Sequence, residues 1–60
     1  MTTEEKLAAL VAAARELVTA QDEGGMQRAK PGGQSPAERE AHVNRMRAAW
    51  AALREALARV

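Results

Sequence analysis

Apolar residues recur at helical spacing in two stretches of this chain, separated by a glycine-rich segment. Positions three and four apart share one face of a helix, and in the first stretch they form a stripe of Leu7, Leu10, Val11, Ala14, Leu17 and Val18. The second stretch has the heptad spacing of a coiled coil, carried by Val43, Met46, Trp50, Leu53, Leu57 and Val60. The segment between them, GGMQRAKPGGQ at 24–34, has turn residues and no strand or helix signal. The pattern predicts two amphipathic helices.

Capping residues set the predicted bounds of the helices. Thr2 with Glu5, and Ser35 with Glu38, have the spacing of a capping box, and Pro36 suits the first turn of a helix. Gly24 and Gly25 favour the left-handed conformation that commonly ends a helix. We therefore predict a helix over 3–21, a flexible loop over 24–34 and a helix over 36–59, within a single domain 1–60.

The charges favour folding the two helices back against each other. Residues 1–23 carry a net charge of −3 and residues 36–60 a net charge of +2. An antiparallel hairpin brings these segments together, and it would place Glu4 and Glu5 near Arg54 and Arg59. The predicted fold class is therefore all-α, as an antiparallel helical hairpin.

Two helices of this size cannot enclose a core between themselves. The chain has no cysteine to form disulfides and one aromatic residue, and small domains without such supports often rely on oligomerisation. We therefore predict a homodimer that forms a four-helix bundle. The predicted interface residues are the large apolar ones of both stripes: Leu7, Leu10, Leu17, Val43, Met46, Trp50, Leu53 and Leu57.

Several features bear on localisation. Glu4 and Glu5 lie where a signal or transit peptide would carry positive charge. The longest apolar run, Leu7 to Ala14, has eight residues, whereas a membrane span needs about 18. We therefore predict a cytoplasmic protein without a membrane partner. The chain has seven arginines, two lysines and abundant alanine. This composition is common in proteins of GC-rich bacterial genomes.

No residue pattern predicts catalysis or a bound metal. His42 with Glu38 supplies half a metal site at best, and we expect His42 to lie at the edge of the interface and pair with Glu38. Ser35 is placed to cap a helix and has no adjacent base to activate it. Gly32 and Gly33 lack the lysine and hydroxyl residue that follow the glycines of a phosphate-binding loop. The prediction is a non-enzyme with no catalytic residue, cofactor or metal.

The pattern favours a protein–protein interaction module, such as an accessory, adaptor or inhibitor subunit, whose protein partner the sequence does not identify. The alternative is nucleic-acid binding by an arginine face of the second helix, joined by Arg28 and Lys30. A net charge of only +1 and the place of Trp50 in the apolar stripe argue against that alternative. Its candidate contacts are Arg45, Arg47, Arg54 and Arg59.

The first twenty residues, MTTEEKLAALVAAARELVTA, also resemble the opening helix of the small head-to-tail joining proteins of lambda-like phages. The resemblance is carried by Met1, Thr2, Glu5, Leu7, Ala8, Ala9, Ala12, Ala13, Leu17 and Thr19. It implies a structural role in phage assembly as a further alternative. Those proteins place a β-hairpin between their helices, whereas the segment 24–34 has no alternating β-branched residues, so a different fold is expected here.

Overall fold

A computed structural model describes residues 1–60 as two helices and no strand. Helix α1 spans Thr3–Ala29 and helix α2 spans Pro36–Ala58. They pack side by side along their length as a helical hairpin. The predicted all-α hairpin is confirmed. The absence of a strand also separates this fold from the β-hairpin-containing phage proteins.

The predicted end of the first helix is wrong, and with it the predicted loop. Helix α1 continues past Gln21, includes Gly24 and Gly25, and ends at Ala29. The connection is only residues 30–35, where Gly32 and Gly33 adopt positive φ angles of 83° and 67°. Glycine lowers helix propensity by about 1 kcal/mol relative to alanine. Packing offsets this loss of helix propensity at Gly24, because the residue is buried against the second helix.

Both predicted helix starts are confirmed. The Thr2 hydroxyl accepts a hydrogen bond from the Glu5 amide at 3.1 Å. At the second start, the Glu38 amide donates to Ser35 Oγ at 3.1 Å and the Ser35 amide donates to Glu38 Oε1 at 3.2 Å, which completes the capping box. These bonds satisfy amide groups that have no partner inside the helix.

Glu38 also ties the connection to the second helix. Its carboxylate accepts a hydrogen bond from Lys30 Nζ. The bond from Lys30 and the bonds with Ser35 hold the pKa of the Glu38 carboxyl below its ordinary value of 4.5. The predicted pair between Glu38 and His42 does not form, because the Glu38 carboxylate accepts hydrogen bonds from Lys30 and Ser35 instead.

The lowered pKa of Glu38 predicts a pH dependence. A carboxyl whose pKa is depressed on folding stabilises the fold above its unfolded pKa, and this contribution is lost as pH falls through the folded pKa. The melting temperature of the wild-type chain should therefore fall below about pH 4.5. Glu38→Gln should remove part of that fall, as measured by circular dichroism at fixed protein concentration.

Glu40→Gln is the matched control for this measurement. Glu40 is exposed, lies on the same helix and makes no side-chain hydrogen bond or ion pair, so its variant should keep the wild-type pH profile. Equal pH profiles for Glu38→Gln and the wild type would contradict the assigned role of Glu38.

The residues buried between the two helices are small. A line of buried and half-buried residues follows α1 through Leu10, Ala13, Leu17, Ala20, Gly24 and Gln27, and the facing line on α2 is His42, Arg45, Ala49, Leu53 and Ala56. We call these two lines the helix contact. Its buried members are Ala20, Gly24, Ala49 and Ala56. Small side chains at a contact bring helix axes close together, but they bury little apolar surface.

The resulting molecule is a thin rod and not a globule. Its extents are 47 × 15 × 10 Å and its radius of gyration is 14.1 Å, against about 10 Å for a compact chain of this length. Its accessible surface is 4429 Å², whereas a compact monomer of this mass exposes about 3,800 Å². Much of the apolar surface of the hairpin therefore stays in water.

Candidate functional site: an apolar side with a basic rim

The exposed large apolar residues lie beside the helix contact and not in it. Each residue turns about 100° around a helix, so a residue that follows a contact residue points to one flank. Val11 and Val18 follow Leu10 and Leu17 on α1 in this way. On α2, Val43, Trp50 and Leu57 follow His42, Ala49 and Ala56.

In an antiparallel pair, these two flanks lie on the same side of the hairpin. Leu7 and Ala14 extend the flank of α1, four residues before Val11 and Val18, and Met46 and Leu53 fill the flank of α2. We call this surface the apolar side. Its members are Leu7, Val11, Ala14, Val18, Val43, Met46, Trp50, Leu53 and Leu57.

Exposure along the apolar side is high for residues of this type. Trp50 is 46% exposed, Leu57 51% and Val18 58%. Among the predicted interface residues, Leu7 and Val43 are also exposed. The other four are half-buried: Leu10, Leu17 and Leu53 within the helix contact, and Met46 beside it. Contiguous exposed apolar surface on a small protein often marks an interaction site.

The register of the hairpin sets which residues lie level with each other. A Cβ built on Gly24 would lie within 2.6 Å of three ring atoms of His42, so these residues mark one level. Because the helices are antiparallel, a step forward along α2 corresponds to a step backward along α1. Trp50 lies eight residues after His42 and is therefore at the same height along the hairpin as Glu16, which lies eight residues before Gly24. By the same count, Leu57 is level with Ala9, between Leu7 and Val11.

Trp50 lies in a groove with a basic rim. The groove has a volume of about 390 Å³ and is lined by His42, Val43, Met46, Arg47, Trp50 and Arg54. Arg47 lies three residues before Trp50 and Arg54 four residues after it, so all three share one face of α2. Trp50 stays partly exposed in the single chain because small residues of both helices occupy the buried part of the helix contact.

A second, shallower groove lies on α1 near the level of Trp50. It has a volume of about 370 Å³ and is lined by Ala14, Arg15, Val18 and Thr19. The hairpin therefore presents a large aromatic residue on one helix and a concave surface on the other.

The opposite side of the hairpin is charged and joined across the helices. Arg45 donates from Nε to Glu16 Oε1 at 3.0 Å and from Nη1 to Glu23. These contacts, first Glu23 and then Glu16, raise the pKa of the Arg45 guanidinium above its ordinary value. Glu16 and Glu23 precede the contact residues Leu17 and Gly24, which places them on the flank away from Trp50.

The four arginines proposed as nucleic-acid contacts are therefore not brought together. Arg45 is held by carboxylates on the charged side, and Arg59 pairs with Glu55 of its own helix. Arg47 and Arg54 line the groove of Trp50. The predicted proximity of Glu4 and Glu5 to Arg54 and Arg59 does not produce an ion pair. The ion pairs across the two helices are those of Arg45.

No group of three or more His, Asp or Glu residues is arranged to hold a metal ion. Neither helix is apolar enough over its length to cross a membrane. The chain matches no protein-family model, no curated protein and no solved structure.

Proposed function

We propose that this chain is a non-enzymatic protein–protein interaction module that self-associates through its apolar side into a four-helix bundle. The single observation that carries the proposal is the exposure of Trp50, Val18 and Leu57 on one side of a hairpin with only four buried residues. Burying exposed apolar surface yields roughly 25 cal/mol per Å². Covering this side is therefore the main stabilisation still open to the molecule.

The dimensions of the hairpin fit such an interface. Its broad side measures 47 × 15 Å, a footprint of about 700 Å², and standard interfaces bury about 800 Å² per partner. Trp50 near the middle of that side is the residue type most enriched among interface hot spots. A small accessory, adaptor or inhibitor subunit would use the assembled bundle, or the same side of one hairpin, to hold its protein partner.

Self-association can be tested by sedimentation equilibrium of the purified chain at micromolar concentration. We expect a species of twice the 6.4 kDa chain mass, with a melting temperature that rises with concentration. Association should change little when salt is raised, because the contact is mainly apolar. A monomer with a sharp, concentration-independent melting transition would contradict the proposal.

One observation favours nucleic-acid binding as a second candidate. Trp50 is 46% exposed and lies between Arg47 and Arg54 in one groove, an arrangement suited to stacking a base and neutralising phosphates. Titration with a fluorescent single-stranded oligonucleotide tests it. Binding that falls steeply between about 50 and 200 mM salt would favour this candidate, whereas absence of binding at low salt would reject it.

A further inference from the structure

We infer that the occupant of the Trp50 groove is helix α1 of a second copy, which places Trp50 of each copy over the Ala14–Val18 groove of the other. This inference rests on the proposed self-association and specifies its geometry. Two hairpins that stack through their apolar sides by a two-fold axis have two arrangements. Either α1 lies over α2 of the other copy, or each helix lies over its own counterpart.

Shape favours the arrangement of α1 over α2. A two-fold axis parallel to the helices keeps every residue at its level in the second copy. Trp50, level with Glu16, then faces the stretch between Ala14 and Val18, where the concave groove of α1 lies. The like-over-like arrangement, centred on the apolar side, brings the two bulky Trp50 regions against each other and leaves both α1 grooves facing small residues.

The net charges of the two whole helices favour the same arrangement. Helix α1 carries five acidic and three basic residues, and α2 carries three acidic and four basic residues. Stacking α1 over α2 gives each helix neighbours of opposite net charge. Asp22, which makes no ion pair within the chain, would lie within one helical turn, along the helix axis, of the level of Arg47 of the second copy. Like-over-like stacking would place Arg47 of one copy beside Arg54 of the other.

Disulfide trapping distinguishes the two arrangements, because the chain contains no cysteine of its own. Val18→Cys and Arg47→Cys are prepared as separate variants, mixed in equal amounts and oxidised mildly. Val18 is within one residue of the level of Arg47, so the inferred arrangement favours a disulfide between the two variants. We expect this mixed disulfide to form at least about tenfold faster than either disulfide between identical variants.

Two further pairs make the result decisive. Asp22→Cys with Arg47→Cys repeats the test at positions on the rim, in case Val18→Cys weakens association. Ala12→Cys with Ala51→Cys is the control, since both residues are exposed and turn away from the apolar side. This pair should give no disulfide above the background of monomeric collisions.

The outcomes separate the inference from the proposal beneath it. Faster mixed disulfides at both test pairs support α1 over α2. Dominant disulfides in a mixture of Arg47→Cys and Arg54→Cys chains, two positions that like-over-like stacking brings level, overturn the inference when the sample sediments as a dimer, and they leave the proposed self-association standing. A monomeric wild-type chain overturns both.

Discussion

Replacing Trp50 by alanine should weaken self-association by about a hundredfold or more while leaving the hairpin of a single chain largely folded. Emptying a buried aromatic site costs about 3–5 kcal/mol, and each 1.4 kcal/mol corresponds to about a tenfold change in affinity. In the single chain Trp50 is 46% exposed, so its truncation removes little packing between α1 and α2. The loss should therefore fall mainly on the association step.

Sedimentation equilibrium measures this effect, and circular dichroism checks that the helices remain. Met26→Ala is the matched control. Met26 is 67% exposed, but it lies two positions after Gly24 and turns away from both the helix contact and the apolar side. Its variant should associate like the wild type. Equal dissociation constants for Trp50→Ala and Met26→Ala would show that the apolar side is not the interface.

Arg47→Ala and Arg54→Ala separate the two candidate functions at the level of residues. At the rim of an apolar interface, each should change the dissociation constant by less than about fivefold, the range of an exposed ion pair. If oligonucleotide binding is the function, each should weaken it and lower its salt dependence. If Trp50→Ala leaves self-association unchanged while the arginine variants abolish oligonucleotide binding, nucleic-acid binding is favoured.

The two adjacent glycines of α1 should respond in opposite directions to the same substitution. Gly25→Ala should stabilise the hairpin by about 0.5–1 kcal/mol, because alanine is the better helix former, and its Cβ has no neighbour closer than 4.0 Å, at Arg28. Gly24→Ala should destabilise the hairpin. Its Cβ would lie within 2.6 Å of three atoms of the His42 ring, and overpacking of this kind costs about 1–3 kcal/mol.

Chemical denaturation at fixed protein concentration measures both substitutions. The double variant Gly24→Ala with His42→Ala provides the test of mechanism. Removing the imidazole removes the clash, so Gly24→Ala should become neutral or stabilising in that background, and the cycle should show a coupling energy of about 1 kcal/mol or more. If Gly24→Ala stabilises the wild-type chain as much as Gly25→Ala does, His42 is not packed against this glycine.

The sequence predicted the elements of this fold because their signals are local. Thr2 with Glu5, and Ser35 with Glu38, form the hydrogen bonds that their spacing indicates. The period of the apolar residues gave both helices, and α2 was predicted to within one residue at its end. These features depend on residues within one or two helical turns of each other, so a single sequence carries them.

The end of α1 was predicted wrongly because the tendency of glycine to end helices is overridden here by a tertiary contact. Gly24 and Gly25 commonly end helices. Here Gly24 is buried beneath His42, eighteen residues later in the chain, and the packing of α2 along this stretch extends α1 to Ala29. No property of residues 20–30 alone shows that α2 passes there.

The division of the apolar residues between two surfaces was likewise decided only by the tertiary structure. Each apolar stripe is wide, so a helix could rotate about its own axis and still turn part of the stripe toward its neighbour. The sequence therefore identifies the apolar face of each helix but not which edge of that face contacts the other helix. The structure places small residues such as Ala20 and Ala49 in the helix contact and leaves Trp50 beside it. The bond pattern of Arg45 with Glu16 and Glu23 is compatible with this rotation. The sequence thus determined two capped helices with too little core, whereas the packing of the helices determined which side remains open to a partner.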